Sequence, residues 1–418
     1  MSMKMIEGGV TAAKGFRAAG CAAGIKKNGA ADMAMIACEV PCAAAGTFTS
    51  NIVKAAPVVW DRDIVYSGRN VRAVVVNAGV ANAATGAEGM RLCEQTAEAA
   101  AASLAKADPA YNGIQKEDVL IGSTGVIGVQ IPIDKICAGV SVLTGKLSDS
   151  LEAGRDCATA IMTTDTVRKE AAVTFSLKDG TEAVLGGCTK GSGMIHPNMC
   201  TMLAYLTTDL KISAGLLQKA LSSVVPETFN MVSVDGDTST NDTCLLLSSG
   251  LAGNSEIVEE DEDFGTFCDA LLLVCTHLAK AMAKDGEGAT CLFECCVEGA
   301  ASEADAKKLA RSVVSSALVK AAIAGHDANW GRILCALGYA GAQFDPEKVD
   351  LVFESAAGRI AIAKDGVAEP FSEEKATEIL SSDEIIATVD LHFGDAAATA
   401  WGCDLTHEYV NINADYRS

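Results

Sequence analysis

A chain of 418 residues that is 49% hydrophobic can bury a large core, and its length alone suggests two or three domains. Aromatic residues make up only 5%, against abundant Ala, Gly and Val, which suits tightly packed α/β layers better than a binding surface rich in Trp and Tyr. A formal net charge of −21 would repel a phosphate backbone and argues against nucleic acid as a partner; the same acidity also serves plain solubility.

The N-terminal stretch MSMKMIEGGVTAAKGF holds no continuous apolar run, so a secretory leader is not expected. No uncharged apolar stretch of about 18 residues appears, so no membrane-spanning helix is expected either, and the chain reads as cytoplasmic. VRAVVVNAGVAN (71–82) is a β-branched run that ends in turn residues, and GAEGMRLCEQTAEAAAASLAKA after it reads as an Ala-rich helix. DVLIGSTGVIG (118–128) is a strand running into a glycine loop. Helical patterns follow near 131–145 and 149–162, then a hairpin, AVTFSLKDGTEAVLGG, with Asp-Gly at its turn.

Further on, SAGLLQKALSSVV places Ser213 as the N-cap of a helix with apolar spacings of three and four. GTFCDALLLVCTHLAKAMAKDGEG reads as a buried helix ending in glycines, and ATCLFECCVEG as a short apolar strand. SEADAKKLARSVVSSALVKAAIAGHD opens with a Ser-x-x-Asp capping pattern at Ser302 and predicts one helix up to a glycine. The sixteen cysteines are scattered, with Cys38-x3-Cys42 and Cys291-x3-Cys295-Cys296 the nearest approach to a cluster, and none of the five histidines pairs with them at ligand spacing. They read as reduced cysteines acting as small hydrophobes, and no metal site is expected.

Three loops rich in glycine and hydroxyls stand out: STGVIG (123–128), KGSGMIHPNMCT (190–201) and SVDGDTSTNDT (233–243). Glycine loops after strands let backbone N–H groups point at an anion or a developing oxyanion, although singly each could be an ordinary turn. None fits a nucleotide-binding glycine motif. Thr201 has a particular chemical reading. A Thr hydroxyl is a weak nucleophile unless a base lies beside it, and an N-terminal Thr carries that base as its own α-amine, with a pKa of about 7.7–8. To expose that amine mid-chain, the peptide before Thr201 must be cut. The Thr hydroxyl can do this itself by attacking the preceding carbonyl, forming an ester that water then releases.

The stretch KGSGMIHPNMCTMLAYLTTD resembles the processing site of the ornithine acetyltransferase family, with Cys200-Thr201 where the family usually carries Ala-Thr. Cys is close to Ala in size, so cleavage is expected to survive. The similarity runs along nearly the whole chain, through EGGVTAAKGFRAAG, TFTSNIVKAAPV, STGVIG, MTTDT, SVDGDTSTNDT, AKDGEGAT, HDANWGRI and YVNINADYRS. The resemblance implies Thr201 as nucleophile and new N-terminus, with cleavage between Cys200 and Thr201. It implies Thr124 and Gly125 as the oxyanion hole. It places substrate contacts on Thr164, Lys190, Thr201, Glu287, Asn413 and the terminal Ser418, where the family usually ends in Thr. His196 is read as structural, since the family does not require it.

The implied activity is transfer of acetyl from N2-acetyl-L-ornithine to L-glutamate through an acetyl-enzyme, in arginine biosynthesis. Acetyl-CoA is a further donor in some members, without a separate motif here, and no cofactor is implied. The implied fold is α/β, stacked sheets flanked by helices, resembling N-terminal-nucleophile hydrolases with different connectivity. Fragments 1–200 and 201–418 would stay together, two of each forming a heterotetramer. Two rivals stay open from the residues: an aminopeptidase or amidase on the same scaffold, and an amino-acid sensor that is never cut.

Overall fold

The structure, a computed structural model, describes residues 3–196 and 202–414. In chain order its first half runs β1 (Met3–Ile6), β2 (Phe16–Cys21), β3 (Met33–Phe48), α1 (Ala56–Tyr66), β4 (Val71–Val80), α2 (Gly86–Ala107), β5 (Val119–Val126), α3 (Ile133–Lys146), α4 (Leu151–Ala160), β6 (Lys169–Ser176) and β7 (Glu182–Lys190). After them come β8 (Leu203–Thr208), α5 (Ala214–Val224), β9 (Val232–Ser233), β10 (Thr243–Ser248), α6 (Glu262–Lys284), β11 (Leu292–Ala300), α7 (Glu303–Ser315), α8 (Ala317–Ala324) and α9 (Trp330–Gly338). The last elements are β12 (Asp350–Ser355), β13 (Gly358–Lys364), β14 (Val367–Ala368), α10 (Glu373–Leu380), β15 (Glu384–Asp390), β16 (Ala396–Cys403) and α11 (His407–Ala414). The described residues divide into two compact units, one drawn from 3–191, 202–230 and 238–278, the other from 192–196, 231–237 and 279–414.

In the first unit, strands follow the order β1-β6-β7-β8-β10-β3-β4-β5, with β2 also on β3. The long strand β3 belongs to both halves of this sheet. Residues 43–48 pair with β10, residues 33–37 pair with β4, and the register slips between Ala37 and Cys42, around Pro41. Proline cannot donate to a ladder and a register slip bends its strand, so the sheet folds over on itself there. The period-2 alternation of side chains then sorts the core. Ala34, Ile36, Val74, Val76 and Leu120 face Leu203, Tyr205, Leu245 and Leu247 in one buried cluster between the halves. The alternate residues, Met35, Ala73, Val75 and Ile121, pack outward on Leu92 and Leu104 of α2 and on Val140 and Leu143 of α3. The expected α/β arrangement of stacked sheets flanked by helices is what forms.

The second unit carries a seven-stranded sheet in the order β14-β13-β12-β15-β11-β16-β9. Phe293, Cys295 and Val297 of β11 and Ile385, Ala387 and Val389 of β15 are buried, as are Ala306, Leu309, Ala310 and Val313 along one stripe of α7. The fifteen described cysteines are free thiols, eleven of them buried, in keeping with the small-hydrophobe reading.

Most elements fall where the sequence puts them, including the hairpin β6–β7 and helix α4, whose Ser150 side chain accepts from the Ala153 amide. Three details differ. Ser213 stands at the N-cap of α5 but makes no capping hydrogen bond through its side chain. The single helix expected from Ser302 is broken at Ser316, which takes an extended conformation and caps α8 by accepting from the Val319 amide. Helix α6 is long and apolar enough to cross a membrane by length and composition, contrary to the expectation of no such stretch. Its apolar residues nevertheless form a helical stripe, Phe267, Ala270, Leu271, Val274, Cys275 and Leu278, that is buried within the protein, with Phe267 against Phe175 of β6.

Asp61 of α1 is buried without exposure; its Oδ1 accepts from the Ile121 amide of β5 at 2.7 Å and its Oδ2 has no hydrogen-bond partner among the described residues. Burial pushes this carboxyl well above its ordinary value, only partly offset by the Ile121 N–H. The stability it contributes is full below the unfolded value of about 3.9 and is lost as pH rises through the higher folded value. Asp61→Asn, which keeps the acceptor for Ile121, is therefore expected to raise the Tm at pH 8. The gain should shrink towards pH 4 in thermal unfolding measured across that range.

Candidate functional site

The STG loop ends β5. β4 and β5 are parallel neighbours, and their pairing slips where Val80 faces both Thr124 and Val126. Two glycines in the left-handed half of conformational space allow this, Gly79 at φ +115° and Gly125 at φ +126°. A Cβ on Gly125 would stand 2.3 Å from the Gly79 carbonyl carbon, so a side chain there must displace backbone. Such a slip takes a residue out of the regular ladder, the local condition for an amide aimed at a developing oxyanion. Asn241, from the SVDGDTSTNDT loop, clamps the two strand ends: its Nδ2 donates to Ala81 O at 2.6 Å and Ser123 O at 2.8 Å. Ser123 in turn donates to Asn77 Oδ1 at 2.6 Å, and Asn77 donates to Val80 O.

Lys190 closes β7 and is 7% exposed. Its Nζ donates to Thr124 Oγ1 at 3.4 Å and lies 4.0 Å from Asp165 Oδ2. Asp165 has a fully buried side chain; Oδ1 accepts from Lys169 Nζ and from the Gly191 amide, each at 2.7 Å, and Oδ2 accepts from the Thr163 amide at 3.0 Å. Burial alone would raise this carboxyl, but Lys190, Lys169 and the hydrogen bonds outweigh it and hold it well below the ordinary carboxylate range. Thr164 is half-buried beside Asp165 in the same loop. Thr124, Gly125, Thr164 and Lys190 thus come together in the first unit, around a carboxylate that the sequence pattern did not single out. In the β7–β8 ladder Lys190 pairs with Leu203, and Met202 is buried with its carbonyl accepting from Thr243 N at 2.9 Å.

Glu287 and Asn413 come together in the second unit. Glu287 is 7% exposed, its amide donates to Ser192 O at 2.9 Å, and Asn413 Nδ2 donates to its Oε2 at 2.7 Å. Gly193 lies so close beneath that a Cβ on it would stand 2.2 Å from Glu287 Oε2. The start of α11 is tied by Thr406 Oγ1 donating to Gly288 O at 2.7 Å, so the helix that carries Asn413 is anchored.

His196 is engaged on both nitrogens. Nε2 faces Arg311 Nη2 at 3.1 Å, and Nδ1 faces Ser233 Oγ at 3.1 Å and Ser315 Oγ at 3.3 Å. Arginine only donates, so Nε2 accepts and the proton sits on Nδ1. Burial, helped by the Arg311 charge, lowers its pKa and keeps the ring neutral, as a structural histidine. The remaining expected site residues, Cys200, Thr201 and Ser418, lie outside the described residues. Among the described residues no group of three or more His, Cys, Asp or Glu could hold a metal ion.

The family model described as the ArgJ family matches residues 17–418. The chain belongs to the ArgJ family. It is 50% identical over 418 residues to the arginine biosynthesis bifunctional protein ArgJ of Symbiobacterium thermophilum, covering all of both chains. It is 49% identical over 403 residues to a protein of Clostridium acetobutylicum named arginine biosynthesis bifunctional protein ArgJ 1, covering 96% of each. Among solved structures, an ornithine acetyltransferase of Mycobacterium tuberculosis complexed with ornithine is 43% identical, with a TM-score of 0.44, over 48% of this chain and all of that one. An ArgJ crystal structure from Bacillus halodurans is 48% identical, with a TM-score of 0.49, over 51% of this chain and 99% of that one.

The Asn241 clamp generates a graded expectation. Asn241→Ala leaves two buried carbonyls without their donor and should cost about 1–3 kcal/mol, read as a fall of several degrees in Tm. Asn241→Asp, which points an acceptor at both carbonyls, should be the more destabilised of the two by the same measurement.

Proposed function

We propose that this chain is a self-processing threonine acetyltransferase that moves acetyl from N2-acetyl-L-ornithine to L-glutamate. In the maturation step Thr201 Oγ attacks the Cys200 carbonyl and the amide becomes an ester. Water hydrolyses the ester, leaving a Cys200 carboxylate and a free α-amine on Thr201. In the first half-reaction Thr201 Oγ attacks the acetyl carbonyl while the α-amine takes its proton and passes it to the departing ornithine nitrogen. In the second, the glutamate amine attacks the acetyl ester and the Thr201 hydroxyl is restored. The bond types exchanged overall, amide for amide, need no external energy source.

The observation that supports this reading most is the convergence of Lys190 on Thr124. The cation ends the strand whose partner begins two residues after Thr201, and it touches the threonine of the glycine bulge. Thr124 and the Gly125 backbone supply the oxyanion site in this reading, with Thr164 and Lys190 on the substrate's carboxylate side. Glu287, oriented by Asn413, meets the ornithine ammonium, and Ser418 completes the substrate contacts.

Cleavage would divide the chain into 1–200 and 201–418. These fragments would stay joined because β8 and β10 of the second are laddered to β7 and β3 of the first. The reading further includes two copies of each fragment in a heterotetramer, a cytoplasmic location, no cofactor, and acetyl-CoA as a second donor to glutamate.

The test is ornithine release from N-acetylornithine with and without glutamate. Sustained release should require glutamate, and N-acetylglutamate should appear in equal amount. Sustained release without glutamate would make the enzyme an amidase. In the same assay Thr124→Ala or Gly125→Val should slow transfer by roughly a hundredfold or more, the usual effect of losing an oxyanion donor; unchanged turnover would remove the bulge from the mechanism.

A further inference from the structure

The glycines of the bulge permit its conformation but do not select it. Gly79 and Gly125 stand at φ +115° and +126°, and glycine is the residue with the most alternative conformations open to it. Just beyond, Asn82 and Ala84 stand at φ +50° and +55°, left-handed values that residues with a Cβ keep only where their surroundings impose them. The backbone leaving β4 is therefore set by tertiary bonds, and the side chains that make those bonds decide where the amides of the STG loop point.

Asn77 and Ser123 flank the slip, one on each strand. They are register partners in the parallel β4–β5 ladder, 4% and 1% exposed. Each ends an outward-facing apolar row, Ala73 and Val75 before Asn77, Val119 and Ile121 before Ser123, all four packed in the cluster under α2 and α3. A valine pair would extend these rows, whereas a buried amide and hydroxyl cost free energy unless each finds a partner. The bonds they make lie on the bulge. Asn77 Oδ1 accepts from Ser123 Oγ at 2.6 Å, and its Nδ2 donates to the Val80 carbonyl at 2.8 Å. Val80 is the residue that faces both Thr124 and Val126, and Ser123 is the residue before Thr124, so one amide grips both sides of the slip. The Val80 bond also spans Gly79 and fixes the turn that the missing side chain leaves open. Asn241 braces the same segments from another loop, at Ala81 O and Ser123 O rather than at Val80.

We propose that Asn77 is a positioning residue for acetyl transfer: through Ser123 and the Val80 carbonyl it holds Thr124 and Gly125 where the oxyanion develops. The assignment rests on the acetyl-transfer reading above. An oxyanion donor stabilises the transition state only at hydrogen-bond distance from the place where the charge forms, and a displacement of about 1 Å can cost roughly a hundredfold. Asn77 acts on the chemical steps and not on substrate capture, so its effect belongs in kcat rather than in KM.

The experiment measures kcat and KM for N-acetylornithine and for glutamate in wild type, Asn77→Ala and Ser123→Ala, each with and without Thr124→Ala. Rates are taken per cleaved chain, counted by denaturing mass. Asn77→Ala removes both bonds and should lower kcat about tenfold or more, with each KM within about twofold of wild type. Ser123→Ala leaves the Val80 bond in place and should lower kcat less. On the Thr124→Ala background the further loss from either variant should be severalfold smaller, because the group being positioned is already gone. A residue serving stability alone would lower Tm without this dependence on Thr124. Asn77→Ala with wild-type kcat overturns the proposal, as does a loss confined to KM. So does the same factor lost on both backgrounds, which would place the effect of Asn77 away from the bulge. If Asn77→Ala does not fold or is not cleaved, Ser123→Ala decides by itself: an unchanged kcat, or a loss that Thr124→Ala does not diminish, contradicts the assignment. Thr124→Ala with wild-type turnover contradicts the oxyanion reading itself, and the assignment with it, and is seen before any Asn77 variant is compared.

Discussion

Everything in the first unit depends on one strand being shared by two stacked half-sheets. β3 pairs with β10 at one end and with β4 at the other, and the slip around Pro41 turns the sheet over between them. Without that turn the ends of β4 and β5 would lie three to five strand positions away from those of β7 and β8. With it, the glycine bulge at Gly79 and Gly125 comes within reach of Lys190, and Tyr205 of β8 packs so closely on β5 that a Cβ on Gly122 would stand 2.0 Å from its hydroxyl. The fold thus converts strand order into a meeting of loops remote in sequence.

Electrostatics then works against the background of the chain. Within an acidic protein of net charge −21, Asp165 pairs with buried Lys169 at 2.7 Å and lies 4.0 Å from Lys190, which offsets part of the cost of burying the two ammonium groups. Lys169 has no exposed side-chain surface, and an unpaired ammonium there would be strongly destabilising. Because Asp165 also accepts from the amides of Thr163 and Gly191, the same carboxylate orders the backbone of the two loops that carry Thr164 and Lys190.

Local signals carried much of this. The hairpin at Asp179-Gly180, the Ala-rich α2 and the strands leading into the glycine loops follow from periodicity and turn chemistry alone. What local pattern could not supply was long-range. β3 does not read as one strand because Glu39 and Pro41 interrupt its alternation just where it changes partners. Helix α7 ends before Ser316 because that serine caps the next helix, a choice that apolar spacing does not encode. Of the site, Thr124, Gly125, Lys190 and Glu287 follow from a family resemblance; the structure brings Lys190 to Thr124 within the first unit and, separately, Asn413 to Glu287 within the second. Asp165, Lys169 and Asn241 sat in the quoted motifs MTTDT and SVDGDTSTNDT or just beyond them. Asp165 and Lys169 pair only four residues apart, but the bond from the Gly191 amide to Asp165 spans 26 residues and the Asn241 clamp on Ala81 spans 160, beyond the reach of local pattern.

In the proposed reaction Thr201 becomes an N-terminal nucleophile and carries the acetyl group. The most direct measurement is denaturing intact mass of the purified protein, before and after brief exposure to N-acetylornithine without glutamate. Two fragments are expected, 1–200 and 201–418, and after exposure a second fragment heavier by one acetyl group that is lost again when glutamate is added. A protein that transfers acetyl while remaining a single chain of 418 residues, or whose acetyl group rides on the first fragment, would contradict it.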